Sequence, residues 1–191
     1  MTFDNFIEVF GFLVGVVYLI LEYHAKPQVW IASVVMPMIS MWLYFRKGLY
    51  ADFAINIYYV AIAIYGYIAW TVRGHKGSDK PSLRITHLPI SVGIGCVATC
   101  GILWLAIWYV LVNFTDSNVP VPDAFTTALS IVALWMMARK YAEQWIAWMI
   151  VDIVCVGLYI YKGIYLYASL YTVYTVIALF GYRKWLRLMR E

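Results

Sequence analysis

Seven apolar runs, each of roughly 20 residues, divide the chain at about 5–22, 28–45, 50–70, 87–112, 123–138, 144–161 and 164–183. A hydrocarbon core about 30 Å thick takes roughly 20 helical residues to cross, so this pattern points to a bundle of membrane-spanning helices. The breaks between runs are charged or helix-ending: Lys26-Pro27, Arg46-Lys47-Gly48, TVRGHKGSDKPSLR, NFTDSNVPVPD, Arg139-Lys140 and Lys162-Gly163. Composition agrees. The chain is 64% hydrophobic and 13% charged, against about half and about a quarter for a soluble domain. An aromatic content of 18% exceeds what plain lipid-facing walls need, so some rings line an interior.

A formal charge of +4 raises the question of nucleic acid, and the placement of the charges answers it. With seven spans and the N-terminus outside, the cytoplasmic segments hold Lys26, the Arg73-to-Arg84 cluster, Arg139, Lys140 and the C-terminal Arg183, Lys184, Arg187 and Arg190. Only Arg46, Lys47 and Lys162 remain outside. Lysine and arginine bias of this kind sets the orientation of membrane proteins. The basic residues therefore read as topology signals beside a lipid bilayer, with the C-terminus cytoplasmic. No nucleic-acid partner is expected. Cys96, Cys100 and Cys155 lie inside apolar runs and read as packed thiols; the sequence calls for no metal and no cofactor.

The chain also repeats itself. Shifted by 115 residues, Trp30–Trp70 lies over Trp145–Trp185 without a gap, with 14 of 41 positions identical. The matches include Trp-Ile-Ala, Leu-Tyr, Lys-Gly, Tyr59 with Tyr174, Gly66-Tyr67 with Gly181-Tyr182, and the closing Trp. Three spans, one linking span and three spans give two triads running the same way, the parallel-repeat arrangement of some transporters, with a substrate site between the repeats. The expected layout is a first repeat at 1–70, a cytoplasmic loop at 71–86, a linking helix at 87–112, an external loop at 113–122, a second repeat at 123–185 and a tail at 186–191. The fold class is an all-α membrane protein of seven transmembrane helices, three plus one plus three. Where the halves differ, the site is asymmetric: Asp152 stands over Pro37, Trp148 over Ser33, and Tyr171 over Asn56.

Asp152 is the sharpest of these differences. Trp145, Trp148 and Asp152 are spaced three and four apart, so they share one helix face. An ionised aspartate at the centre of a span costs about 2.5–3.5 kcal/mol on insertion scales, and no lysine or arginine falls at comparable depth in any span. Either the acid ties helices together through hydrogen bonds, or a cationic substrate completes it. An indole face holds a cation by about 0.5–2 kcal/mol, which suits Trp148; Trp145 reads equally as an interfacial belt residue. Asn56 bonds a neighbouring helix or a substrate nitrogen. Tyr59, Tyr171 and Tyr174 are core packing or the walls of an aromatic cage. Ser130 and Thr127, three apart in the fifth span, suit the site or bond back to their own helix. Glu8 and Glu22 read as solvated ends of the first span.

Two other classes fit poorly. A membrane enzyme needs convergent acid, base or metal groups, whereas His24, His75 and His87 stand at loops or span ends with no HExxH, paired acids or Cys/His cluster. A retinal photoreceptor needs a lysine within the last span, and none lies between Lys162 and Lys184.

The stretches GLYADFAINIYYVAIAIYGYIAW, TTALSIVALWMMARKYAEQWIAWMIVDIVCVGLYIYKG and LYTVYTVIALFGYRKW resemble the Pnu family of bacterial vitamin transporters over nearly the whole chain. The resemblance implies a seven-helix core similar to that of SWEET sugar transporters, a homotrimer, and facilitated diffusion followed by trapping of the vitamin by a cytoplasmic kinase. The family's Trp-x-x-Trp falls on Trp145 and Trp148. The nicotinamide riboside branch usually shows Gln where Asn56 stands, and an amide where this chain has Ala63-Ile64-Tyr65-Gly66-Tyr67. LEYHA, VVMPMI and GLYADFAINIYY look more like the thiamine branch, PnuT. The expectation is a thiamine uniporter, with nicotinamide riboside as the alternative and proton-coupled uptake of a cationic aromatic vitamin as a further one. Its thiazolium would rest on Trp148 or Trp145 against Asp152, with Asn56 reading the aminopyrimidine.

Overall fold

The computed structural model describes residues 14–47, 50–71 and 83–191, which are all-helical and contain no β-strand. The expected start of the first span with Glu8 and Gly11, the loop carrying His75, Gly48, and the side chain of Asp52 lie outside the described residues. The chain divides into two compact units, Met1–Arg84 and Ile85–Glu191.

In the first unit α1 spans Val14–Tyr23, α2 spans Val29–Lys47 and α3 spans Tyr50–Thr71, with α2 packed on α3. A Trp–Gly contact pins that pair. Gly66 lies directly under the Trp30 indole, where a Cβ would overlap the ring. The Trp70 ring meets Trp30 edge to face, with centroids 5.5 Å apart at 87°. Pro37 sits inside α2; having no N–H, it leaves the Ser33 carbonyl without its helical donor four residues on. Glu22, expected in water at the end of a span, is instead 2% exposed. Tyr18, one turn earlier on the same face, hydrogen-bonds its carboxylate, which is why the acid stays inside.

The second unit contains α4 (Ile90–Phe114), α5 (Pro120–Ala138), α6 (Gln144–Tyr161) and α7 (Tyr165–Leu188). Each is long and apolar enough to cross a membrane. α5 starts earlier than the apolar run because Pro120 and Pro122 fit a first helical turn, where a missing N–H costs nothing. α7 runs on past Arg183 to Leu188, carrying its basic residues out of the apolar stretch. Chain neighbours pack in order, α4 on α5, α5 on α6 and α6 on α7. Leu88, just before α4, and Val92, Cys96, Cys100 and Leu103 on it pack against Val132, Met136 and Tyr141, so both of these thiols are packing groups.

The ends of this unit are tied differently. At one end the segment before α4 clamps the α5–α6 connection: the Thr86 N–H donates to the Lys140 carbonyl (3.1 Å) and the Ala142 N–H to the Thr86 carbonyl (3.0 Å). Glu143 adds both carboxylate oxygens, one to the Leu88 N–H and one to His87 Nδ1, each at 2.7 Å. An anion at the first turn of α4 meets the unpaired N–H groups of a helix start. At the other end Trp104 Nε1 donates to the Val121 carbonyl, and Lys162 approaches Asp123 at 4.0 Å. Because α7 returns antiparallel to α6, Arg183, Lys184 and Arg187 collect at the end that holds Arg139 and Lys140. Burial pushes the Lys140 ammonium below the ordinary lysine range.

The repeat is visible as geometry in each unit. After α1, Ala25 is left-handed (φ 51°), and after α5, 115 residues on, so is Lys140 (φ 57°). The Ala25 N–H donates to the Glu22 carbonyl and the Lys26 N–H to the Leu21 carbonyl; Lys140 to Met137 and Tyr141 to Met136 repeat the pair. This is the paired closure of a helix end that glycine normally supplies. A left-handed residue with a Cβ is strained by about 1–2 kcal/mol, partly offset by the greater freedom of unfolded glycine. Ala25→Gly should therefore stabilise the protein by about 0.5–1 kcal/mol, raising the melting temperature in detergent by a few degrees; an unchanged or lower temperature would refute the strain.

Candidate functional site

α6 places the acid. Asp152 is the middle residue of Gln144–Tyr161, and it shares a face with Trp145, Trp148 and Cys155, while Ile150, Ile153 and Ile160 point outward and are exposed. It is 6% exposed. Among the described residues no basic group and no hydrogen-bond donor engages its carboxylate. A carboxylate so placed carries an unmet demand for positive charge or for donors.

The two tryptophans part company. Trp145 is 2% exposed. Its ring lies on Gly181 and meets Trp185 edge to face, with centroids 5.9 Å apart at 88°. This is the arrangement of Trp30, Gly66 and Trp70 in the first unit. Trp148, a turn deeper, is half-buried, and its Nε1, like that of Trp145, is buried with no acceptor among the described residues. It therefore has both an N–H to give and a face less enclosed than that of Trp145.

Tyrosines continue from the acid along α6 and α7. Tyr171 and Tyr174 are half-buried, 5.6 Å apart between centroids at 68°, and both feel the charge of Asp152. Tyr159, seven residues beyond Asp152 on α6, lies 5.2 Å from Tyr171 and 5.3 Å from Tyr167, with its ring tilted by 35° and 31°. Sequence reasoning passed over Tyr159; its i,i+7 relation to Asp152 and its place in the repeated Leu-Tyr were the available signals. Cys155, one turn from Asp152 on the same face, was taken only as packing. The Gly163 turn sets this register: at φ 72° it lets the Ile164 N–H reach the Tyr159 carbonyl at 2.8 Å and bring α7 back along α6.

On α5, Thr127 bonds back to the Asp123 carbonyl at 2.8 Å, whereas Ser130 is half-buried with no hydrogen bond among the described residues. In the first unit Asn56 is buried (7% exposed) and engaged, and Tyr59 is half-buried beside Tyr58, with centroids 5.9 Å apart. The second unit thus brings Tyr171 and Tyr174 within the field of Asp152, with Trp148 one turn from the acid on the same helix face and Trp145 packed on Gly181 and Trp185.

Known proteins share this chain's pattern. A family model described as nicotinamide mononucleotide transporter matches residues 5–187. The nicotinamide riboside transporter PnuC of Escherichia coli (strain K12) is 30% identical over 173 residues, covering 78% of this chain and 72% of that protein. The riboflavin/roseoflavin transporter RibM of Streptomyces davaonensis is 30% identical over 127 residues, covering 66% of this chain and 59% of that one. The crystal structure of the vitamin B3 transporter PnuC superposes with a TM-score of 0.69 over 94% of this chain and 80% of that chain at 20% identity, a shared fold. These are membrane transporters of vitamins, not enzymes. With a match running almost from end to end and the all-helical fold in common, the chain belongs to the nicotinamide mononucleotide transporter family.

Proposed function

We propose that the protein carries a vitamin with a cationic aromatic ring across the bacterial inner membrane, and that nicotinamide riboside is its substrate ahead of thiamine. The observation that carries this reading is the buried Asp152 carboxylate in the middle of α6, with no base or donor engaging it among the described residues and a tryptophan one turn away on the same face. Nicotinamide riboside and thiamine each bring a fixed positive charge on a flat ring, so either would complete the acid. The order between them rests on the relatives. PnuC of Escherichia coli is named for nicotinamide riboside and matches this chain at 30% identity, and that outweighs the short stretches that look like the thiamine branch.

In this reading the pyridinium ring lies against Trp148 with Asp152 as its counter-ion, Tyr171 and Tyr174 wall the pocket, and Ser130 hydrogen-bonds the polar parts of the ligand. Trp145 supports the site from behind. The fold would be the seven-span, three-plus-one-plus-three arrangement, SWEET-like and assembled as a homotrimer. Its basic end, with Arg139, Lys140, Arg183, Lys184 and Arg187, would face the cytoplasm, as the lysine and arginine bias favours. Transport is downhill, with trapping inside. A phosphorylated vitamin is disfavoured because its dianion meets a desolvated carboxylate, the repulsive half of specificity.

Purified protein in liposomes tests the reading. Uptake of labelled nicotinamide riboside should be inhibited at least tenfold better by unlabelled nicotinamide riboside than by thiamine, and hardly at all by nicotinamide mononucleotide or uncharged riboflavin. The reverse order of the two cations would restore thiamine as the substrate. Best inhibition by riboflavin would end the role given to charge. Counterflow without a proton gradient separates diffusion from proton coupling.

A further inference from the structure

The tyrosines beyond the acid extend further than a binding pocket needs. On α7, Tyr167, Tyr171 and Tyr174 stand at i, i+4 and i+7, one face covering about 10 Å of helix. Tyr159 of α6 fits between Tyr167 and Tyr171, giving three rings in an inclined stack with centroid spacings of 5.3 and 5.2 Å. The inner end reaches Tyr174 and the field of Asp152. The outer end is Tyr167, 51% exposed and close to the α6–α7 turn.

Tyrosines at a helix end commonly form a belt at the level of the lipid headgroups. Tyr161 and Tyr165, 79% and 71% exposed at the same turn, suit that role. A belt has no reason to continue two turns inward along a single face, and this row does. Nor does the helix pairing itself demand rings there. At the equivalent positions of the first repeat, Tyr167 and Tyr171 are replaced by Asp52 and Asn56, whereas Tyr159 and Tyr174 keep tyrosines, Tyr44 and Tyr59.

We propose that Tyr167, Tyr159 and Tyr171 form an outer binding site for a planar heteroaromatic cation, a track on which the substrate rests between the α6–α7 end and Asp152. The occupant follows from the chemistry. π-Faces attract cations and stack flat rings regardless of the substituents on them. Lys162, the basic residue of the α6–α7 turn, lies against Asp123. Rings 5.2–5.3 Å apart leave no room for intercalation, so the ligand lies across the open faces of the row and passes from one to the next. This inference rests on the reading of Asp152 as the inner cation site.

The test is initial uptake of labelled nicotinamide riboside into liposomes, at low and at saturating concentration, with labelled thiamine as a second probe. Tyr167→Leu and Tyr159→Leu should each lower uptake at low concentration about threefold to tenfold while leaving the saturating rate unchanged, because capture and not the inner site is affected. Tyr167→Phe, which keeps the ring, should behave as wild type, and so should Tyr161→Leu, which is exposed at the same turn but off the row. Melting temperatures establish that the variants fold; Tyr167, on the surface, tolerates exchange. Wild-type uptake by both leucine variants, alongside loss of uptake in Asp152→Asn, would overturn the track and leave the inner site standing. Normal uptake by Asp152→Asn would overturn both. An equal loss in Tyr161→Leu would return the row to the belt.

Discussion

Asp152→Asn should reduce uptake of labelled nicotinamide riboside about 30-fold or more while leaving the protein at least as stable as before. The two expectations come from the same physics. A cation held by a desolvated carboxylate loses about 2 kcal/mol or more when the charge is removed, and each 1.4 kcal/mol is a factor of ten. The empty protein, however, keeps that acid in the middle of α6 at 6% exposure with no donor or base engaging it among the described residues. Removing an uncompensated charge from such a place relieves a cost of about 2.5–3.5 kcal/mol on insertion scales. Uptake in liposomes and melting in detergent measure the pair. A variant that melts well below wild type would show the acid to be a structural tie between helices; one that transports normally would remove its role in binding.

Gly181→Ala should be the most damaging conservative change in the second unit. A Cβ there would stand 2.7–2.8 Å from three atoms of the Trp145 ring, which has no flexible end to move aside. Trp145 cannot retreat, being 2% exposed and held by Trp185, itself fully buried. Overpacking of this kind costs about 1–3 kcal/mol, and a rigid indole puts this case at the upper end. A fall in melting temperature of several degrees is expected, with substrate affinity in the surviving folded fraction little changed. Gly66→Ala should do the same to the first unit through Trp30. Trp145→Leu in the Gly181→Ala background should restore part of the loss, since it removes the ring the methyl strikes. Two single changes with no effect on melting would refute the clamp.

The clamp also shows how the sequence informs and where it stops. The shift of 115 residues aligned Trp145 with Trp30 and Gly181 with Gly66, so the importance of all four positions was legible. Their pairing was not, because helical spacing tells which residues share a face but not what the neighbouring helix sets against it. Trp145 was accordingly grouped with Trp148, and what separates them is enclosure: both N–H groups lack an acceptor among the described residues, but the Trp145 ring is packed on Gly181 and Trp185. The ends of α6 agreed with its apolar run because Glu143 and Gly163 bracket it; α5 was misjudged by its prolines, which read as loop and act as a first turn. Glu22 failed for a similar reason. A glutamate near the end of a span belongs in water unless a partner waits on its own face, and the significance of Tyr18 emerges only once the helix is built. Asp152 was legible from the start because no cation of the chain lies at its depth, a fact that needs no coordinates.

Pro37 and Asp152 stand at equivalent positions of the two matching segments, and they do different things to their helices. α2 lacks one rung of its hydrogen-bond ladder at Pro37, so it bends there more readily than an unbroken helix. α6 has no proline to interrupt its ladder at the acid. A weakened ladder and a buried acid thus fall in separate halves of the sequence: the helix able to flex carries its charges only at its end, Arg46 and Lys47, and the helix that buries an acid has no proline to interrupt it.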